Sequence, residues 1–103
     1  MVFVELPAFT RRLFDLFDDE SFLSLQIQLA ARPAPEISFG VAGDSANKIR
    51  WAAKGHGKRG GARVIYFWRT AESRIILARL YAKNEQEDLS SAELKTVIRE
   101  IGL

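Results

Sequence analysis

Apolar residues along the chain switch between helical and period-two spacing, and the switches outline the elements. VFVEL at the start reads as a short strand, and Pro7 suits the first turn of a following helix. Phe9, Leu13, Leu16 and Phe17 fall at i, i+4, i+7 and i+8 and so share one helical face, the pattern of core packing. Asp18, Asp19 and Glu20 then place negative charge where it favours the start of a second helix, which Phe22, Leu25 and Leu29 carry to about Arg32. So short a turn between two helices predicts an αα-hairpin. Pro33 and Pro35 stop the second helix. From Glu36 to Asn47 no period holds: ISFGV reads as a short strand or an ordered connection and AGDSAN as a turn, so this segment is expected to be mostly loop.

Beyond Asn47 the period becomes two. In KIRWAA, Lys48 and Arg50 alternate with Ile49 and Trp51, which predicts a strand burying one face and offering its cations on the other. ARVIYFWR is apolar on both faces, as a central strand requires, so Trp51, Tyr66, Phe67 and Trp68 are expected in the core. TAES makes a polar reversal into RIILARLYAK, where Ile75, Leu77, Arg79, Tyr81 and Lys83 would share one face and Ile76, Ala78, Leu80 and Ala82 the other. A hairpin joins these two strands most simply. Ser90 with Glu93 forms a capping box, Leu89 and Leu94 a hydrophobic staple, and Leu94, Val97, Ile98 and Ile101 the buried stripe of a last helix that Gly102 can end. The order is β-α-α-β-β-β-α. It predicts an α+β fold, a small twisted and mainly antiparallel sheet packed by an N-terminal helical hairpin and a C-terminal helix, with residues 1–103 as a single domain.

Charge distribution points to a partner. The stretch from Lys48 to Arg69 holds seven of the fifteen Lys and Arg residues and no carboxylate, although the whole chain is only +2. Such a concentrated positive field fits a polyanion. Inside it, KGHGKRGG combines four glycines with Lys54, His56, Lys58 and Arg59, the makings of a basic loop between two strands. Gly55, Gly57 and Gly60 match a dinucleotide fingerprint in spacing, but a strand rather than a helix follows them, so the match is accidental. With no cysteine and one histidine, the chain lacks the ligands of a structural zinc site and the means for a disulfide framework. No apolar run approaches the roughly 20 residues that span a bilayer, and the N-terminus lacks a signal-peptide pattern. A cytoplasmic location without membrane contact is therefore expected.

The run KIRWAAKGHGKRGGARVIYFW, the later YAKNEQEDLSSAEL and the order of elements resemble the HigB-like branch of the RelE superfamily, toxins of type II toxin-antitoxin pairs. The likeness covers about Asn47 to Leu94 well and the N-terminal helices by position only. It implies a ribosome-dependent mRNA endonuclease, or mRNA interferase, that inhibits translation and is neutralised by a cognate antitoxin, often one with a helix-turn-helix domain. DNA would then be met only through the antitoxin. By resemblance, Lys48 and Arg50 lie on the strand that turns cations to the RNA, Arg63 matches a phosphate-contacting arginine, and Lys83 falls in the segment after the last strand. Three features depart from the family pattern. Gly43, Asp44, Ser45 and Ala46 replace a glycine-rich approach, Asn84 stands where many members carry arginine, and Ser90 stands where some carry a tyrosine acting as acid or base.

Cleaving RNA through its own 2'-hydroxyl needs that hydroxyl deprotonated, the charge building on phosphorus stabilised and the 5'-oxygen protonated. Guanidinium groups suit the middle task because they are planar, always charged and bidentate toward phosphate. Arg63 is the first choice for it and Arg50 the second. Arg63 is expected at the exposed end of its strand, where replacement would hardly affect stability. Lys48, Lys54, Lys83, Tyr81 and His56 are the candidates for proton transfer, and no metal or other cofactor is called for. Lys54, His56, Lys58 and Arg59, with Lys48, would hold the RNA. Strand cations also serve simply to solvate or protect a sheet edge, a glycine-flanked histidine can stand idle in solvent, and the acidic EQED reads as a solvated approach to the last helix or as a contact for a basic partner. Two other functions therefore stay open: a non-catalytic RNA- or ribosome-binding module, and a degenerate toxin fold that only binds its antitoxin.

Overall fold

A computed structural model describes residues 1–33, 37–41, 44–53, 61–85 and 89–102, with side chains described outside 37–41 and 44–45. Among these residues the chain forms β1 (Val2–Glu5), α1 (Pro7–Leu16), α2 (Asp19–Ala31), β2 (Ile37–Val41), β3 (Asp44–Trp51), β4 (Ala62–Arg69), β5 (Arg74–Ala82) and α3 (Ser91–Ile101). The strands make one mixed sheet in the order β1-β5-β4-β3-β2, in which β1 runs parallel to β5 and the other neighbours are antiparallel. The expected α+β class is therefore the one the chain adopts.

Local chemistry accounts for the helix ends. Pro7 opens α1, and the Asp18 carboxylate caps α2 by accepting from the Ser21 N–H at 2.8 Å, with Asp19 and Glu20 in the first turn. Ser90 and Glu93 make the reciprocal capping box of α3, and Gly102 closes that helix with a φ of 77°, a left-handed conformation that glycine adopts without steric penalty. Leu89 and Leu94 both join the α3-side core, as a staple should.

The sheet is covered on both faces. Phe9, Leu13, Phe17, Leu25 and Leu29 of the αα-hairpin pack on Ile49, Val64, Tyr66, Ile75, Leu77 and Leu80. On the opposite face, Val97, Leu94, Ile98 and Ile101 of α3 pack with Ile65, Phe67, Ile76 and Ala78. Phe9, Phe17, Leu25 and Leu29 are fully buried, and each such side chain contributes about 1.5–3 kcal/mol. Tyr66 ties the layers together, since its hydroxyl donates to the Pro33 carbonyl, just past the end of α2, at 2.9 Å.

Two expectations need correction. The segment read as mostly loop is largely strand: Ile37–Val41 forms β2, and Asp44 to Asn47, read as part of a turn, begin β3. Pairing on both sides, with β2 and from Asn47 onward with β4, outweighs the weak strand propensity of Asp, Ser, Ala and Asn. The second correction concerns β5, whose alternation is broken. Ile65 pairs with Arg79 but Tyr66 pairs with Leu77, so Ala78 is an extra residue, a β-bulge. Ile75 and Leu77 consequently face the αα-hairpin, whereas Arg79 and Tyr81 face the α3 side.

Candidate nucleic-acid interface

The bulge determines what gathers on the α3 side of the sheet. Arg50 pairs with Arg63 across β3 and β4, and Arg63 with Tyr81 across β4 and β5, so these three form one row on one face. Direct cross-strand neighbours stand about 4.5–5.5 Å apart at Cβ. The adjacent row is Lys48, Ile65 and Arg79. Without the extra residue, the alternation read from the sequence would carry Tyr81 to the other face with Leu77. Four residues singled out as site candidates or as RNA contacts, Lys48, Arg50, Arg63 and Tyr81, are thus brought together by strand register.

Their burial differs from expectation. Arg50 is exposed, but Lys48 is only 7% exposed and Arg63 only 4%, the latter with Nη1 donating to the Ala62 carbonyl at 3.4 Å. For Lys48 the cause is the fifth strand, since β2 pairs Ile37 with Lys48 and makes β3 an interior strand, whereas Arg63 lies on β4 between β3 and β5, paired there with Arg50 and Tyr81. Arg63 therefore cannot be replaced without consequence for stability. Tyr81, 4% exposed, packs in the α3-side core. The row offers one solvent-facing guanidinium with a second, positionally restrained one beside it. A phosphate meeting this face would find a fixed pair of cations, and low local dielectric strengthens what the inner one contributes.

Arg79 is committed elsewhere. It grips Glu100 of α3 with two hydrogen bonds of 2.9 and 3.0 Å and also donates to the Ala78 carbonyl, holding α3 to the sheet. That pairing holds the Glu100 carboxyl below its ordinary range.

Lys83 is exposed at the mouth of the turn that follows β5, its N–H donating to the Gly61 carbonyl at 3.1 Å. This turn is held by a residue that sequence reasoning missed. Glu85 was expected to be part of a solvated run, yet Arg12 of α1 grips its carboxylate at 2.9 and 3.0 Å, and the same carboxylate accepts from the Ala82 N–H at 2.7 Å. Hydrogen bonding to Arg12, helped by the Ala82 N–H, holds the Glu85 carboxyl below the usual glutamate value. No local pattern could pair residues 12 and 85.

The aromatic residues sort mostly as expected. Tyr66 and Phe67 are buried and Trp51 packs against the αα-side core with its indole N–H donating to the Ser21 carbonyl at 3.2 Å, but Trp68, expected in the core, is exposed near the end of β4. Ser90 is engaged in its helix cap. Lys54, His56, Lys58 and Arg59 lie outside the described residues. Among the described residues no group of three or more His, Cys, Asp or Glu could hold a metal ion, and no helix is long and apolar enough to cross a membrane.

One comparison bears on this arrangement. The family model described as RelE toxin of RelE / RelB toxin-antitoxin system matches residues 30–102. The match runs from the end of α2 through the whole of β2 to β5 and α3, so it contains the Arg50–Arg63–Tyr81 row, Lys48 and Lys83. It covers well over half of the chain, and this protein belongs to the RelE toxin family.

Proposed function

We propose that this chain is a ribosome-dependent mRNA endonuclease of the HigB-like branch, acting in the cytoplasm without a metal, inhibiting translation and neutralised by a cognate antitoxin with a helix-turn-helix domain. The observation that supports this reading is the row of Arg50, Arg63 and Tyr81 on one face, with Lys48 in the next row. The 2'-oxygen attacks the adjacent phosphorus, its proton passing to Lys48 or Lys83 acting as a neutral amine, or to Tyr81 acting as a phenolate, and the group so protonated serves afterwards as the acid. Arg50 and Arg63 stabilise the negative charge on the pentacoordinate phosphorus. The bond to the 5'-oxygen then breaks, a proton returns to that oxygen, and the products carry a 2',3'-cyclic phosphate and a 5'-hydroxyl. With Ser90 in a helix cap, the proton-transfer step that a tyrosine serves in some relatives falls to these other groups. Lys54, His56, Lys58 and Arg59 extend the RNA contact in this reading, and neutralising the three cations should flatten the salt dependence of ribosome binding.

The Ser90 cap and Asn84 also favour a second reading, in which the same cations hold RNA without cutting it. Expression of the chain alone in a bacterium, with mapping of transcript ends, separates the readings. Growth arrest with new cleavages inside translated regions is the expected result. Arrest without cleavage would make the chain a binding module, and neither would leave it an antitoxin-binding protein only.

A further inference from the structure

The αα-hairpin carries a polarity opposite to that of the cationic row. Leu13 to Ala31 contain four carboxylates, Asp15, Asp18, Asp19 and Glu20, and no lysine or arginine. Within this acidic stretch α2 is apolar on two sides. It buries Leu25 and Leu29 against the sheet, yet Leu23 and Ile27, one helical turn apart, are 57% and 61% exposed. Beside them opens a cleft of about 470 Å³ lined by Asp18, Glu20, Ser21, Ser24, Trp51 and Ala52. Glu20, Leu23 and Ser24, and Ile27 follow one another at helical spacing, so cleft and apolar stripe form one continuous surface. The bond from the Trp51 indole to the Ser21 carbonyl fixes the ring there.

Charge complementarity identifies the occupant. Carboxylates beside an indole suit a guanidinium or ammonium group, and the same carboxylates repel phosphate. Two exposed aliphatic side chains one turn apart suit apolar side chains of an ordered polypeptide segment. We propose that the outer face of α2 and the Trp51 cleft dock the antitoxin, through a segment that sets a lysine or arginine against Glu20 and lays apolar side chains along Leu23 and Ile27. This rests on the toxin-antitoxin assignment and not on cleavage. The surface lies on the sheet face opposite Arg50, Arg63 and Tyr81.

The probe is the antitoxin encoded by the reading frame adjoining this gene, titrated onto the full chain at low and high salt. Leu23→Glu combined with Ile27→Glu is expected to weaken binding at least about tenfold, the loss typical of an interface anchor. Glu20→Lys alone should weaken it and flatten its salt dependence, with Asp18 kept intact as the helix cap. Thermal unfolding checks that the variants are folded, and Leu23→Ser with Ile27→Ser repeats the test should the double glutamate variant unfold. Unchanged affinity in the folded variants overturns the proposal, as does failure of the wild-type chain to bind this antitoxin. Variants that keep the antitoxin but lose ribosome engagement, or that turn a wild-type dimer into a monomer, also overturn it by assigning the face to another occupant. Loss of antitoxin binding in a protein that cuts no RNA would uphold the docking surface while removing the endonuclease reading.

Discussion

Replacing Glu85 by glutamine tests how the turn carrying Lys83 is held. The substitution keeps the shape and an acceptor for the Ala82 N–H, and removes the charge that Arg12 grips at 2.9 and 3.0 Å. The side chains are 34% and 41% exposed, so solvent screens the pair and its contribution is about 0.5–1 kcal/mol despite the two-point geometry. A double-mutant cycle of Glu85→Gln and Arg12→Ala in urea should return a coupling of that size at pH 7, equivalent to a Tm change of roughly 2–5 °C in a chain this long. Because Arg12 holds the Glu85 carboxyl low in the folded state, the pair's stabilisation is complete above the unfolded glutamate value of about 4.3 and is lost as pH falls through the lower folded value. The coupling should therefore fade as pH falls through that lowered value. A cycle that gives no coupling at neutral pH, or one that persists after the carboxyl is protonated, would refute the clamp.

Three further outcomes follow from single residues. Ser90→Ala should cost about 1 kcal/mol by removing the α3 cap and speed hydrogen exchange in Ser91 to Leu94, whereas an unchanged exchange pattern would mean that the staple alone holds the helix start. Tyr66→Phe should cost about 1 kcal/mol in urea unfolding through loss of its bond to the Pro33 carbonyl, and no loss would show that carbonyl satisfied without it. Arg63→Ala should destabilise by roughly 2 kcal/mol because the side chain is buried. Arg63→Met keeps the stem and should stay folded while single-turnover cleavage falls about a hundredfold, with Arg63→Lys recovering only part; a folded methionine variant at the wild-type rate would move the charge elsewhere.

The helices were legible because their signals are local. Pro7, the Asp18 cap, the Ser90–Glu93 box and the spacing of Phe9, Leu13 and Phe17 each act within a turn or two of chain. Long-range pairing was less legible. Asp44 to Asn47 carry turn-forming residues, and only their pairing with β2, joined at Asn47 by β4, makes them strand. The Ala78 bulge left no trace because Ile75 to Leu80 is apolar on both faces apart from Arg79, so a shift of one residue changes no pattern. For the candidate site, residue types and strand assignments at Arg50, Arg63 and Tyr81 could be read directly, but their common face depends on that bulge. The burial of Lys48 depends on β2, which had no clear period of its own, and that of Arg63 on its place between Arg50 and Tyr81 in the central strand.

Arg50 tests most directly the proposal that cations on the α3 side of the sheet cut messenger RNA, because its side chain is exposed on that face. Single-turnover cleavage on programmed ribosomes, with chemical analysis of the new ends, should show 2',3'-cyclic phosphate termini with the wild-type chain and a rate about a hundredfold lower with Arg50→Ala, thermal unfolding showing that variant to be folded at the assay temperature. No cleavage by the wild-type chain, or a folded Arg50→Ala protein cutting at the wild-type rate, would contradict it.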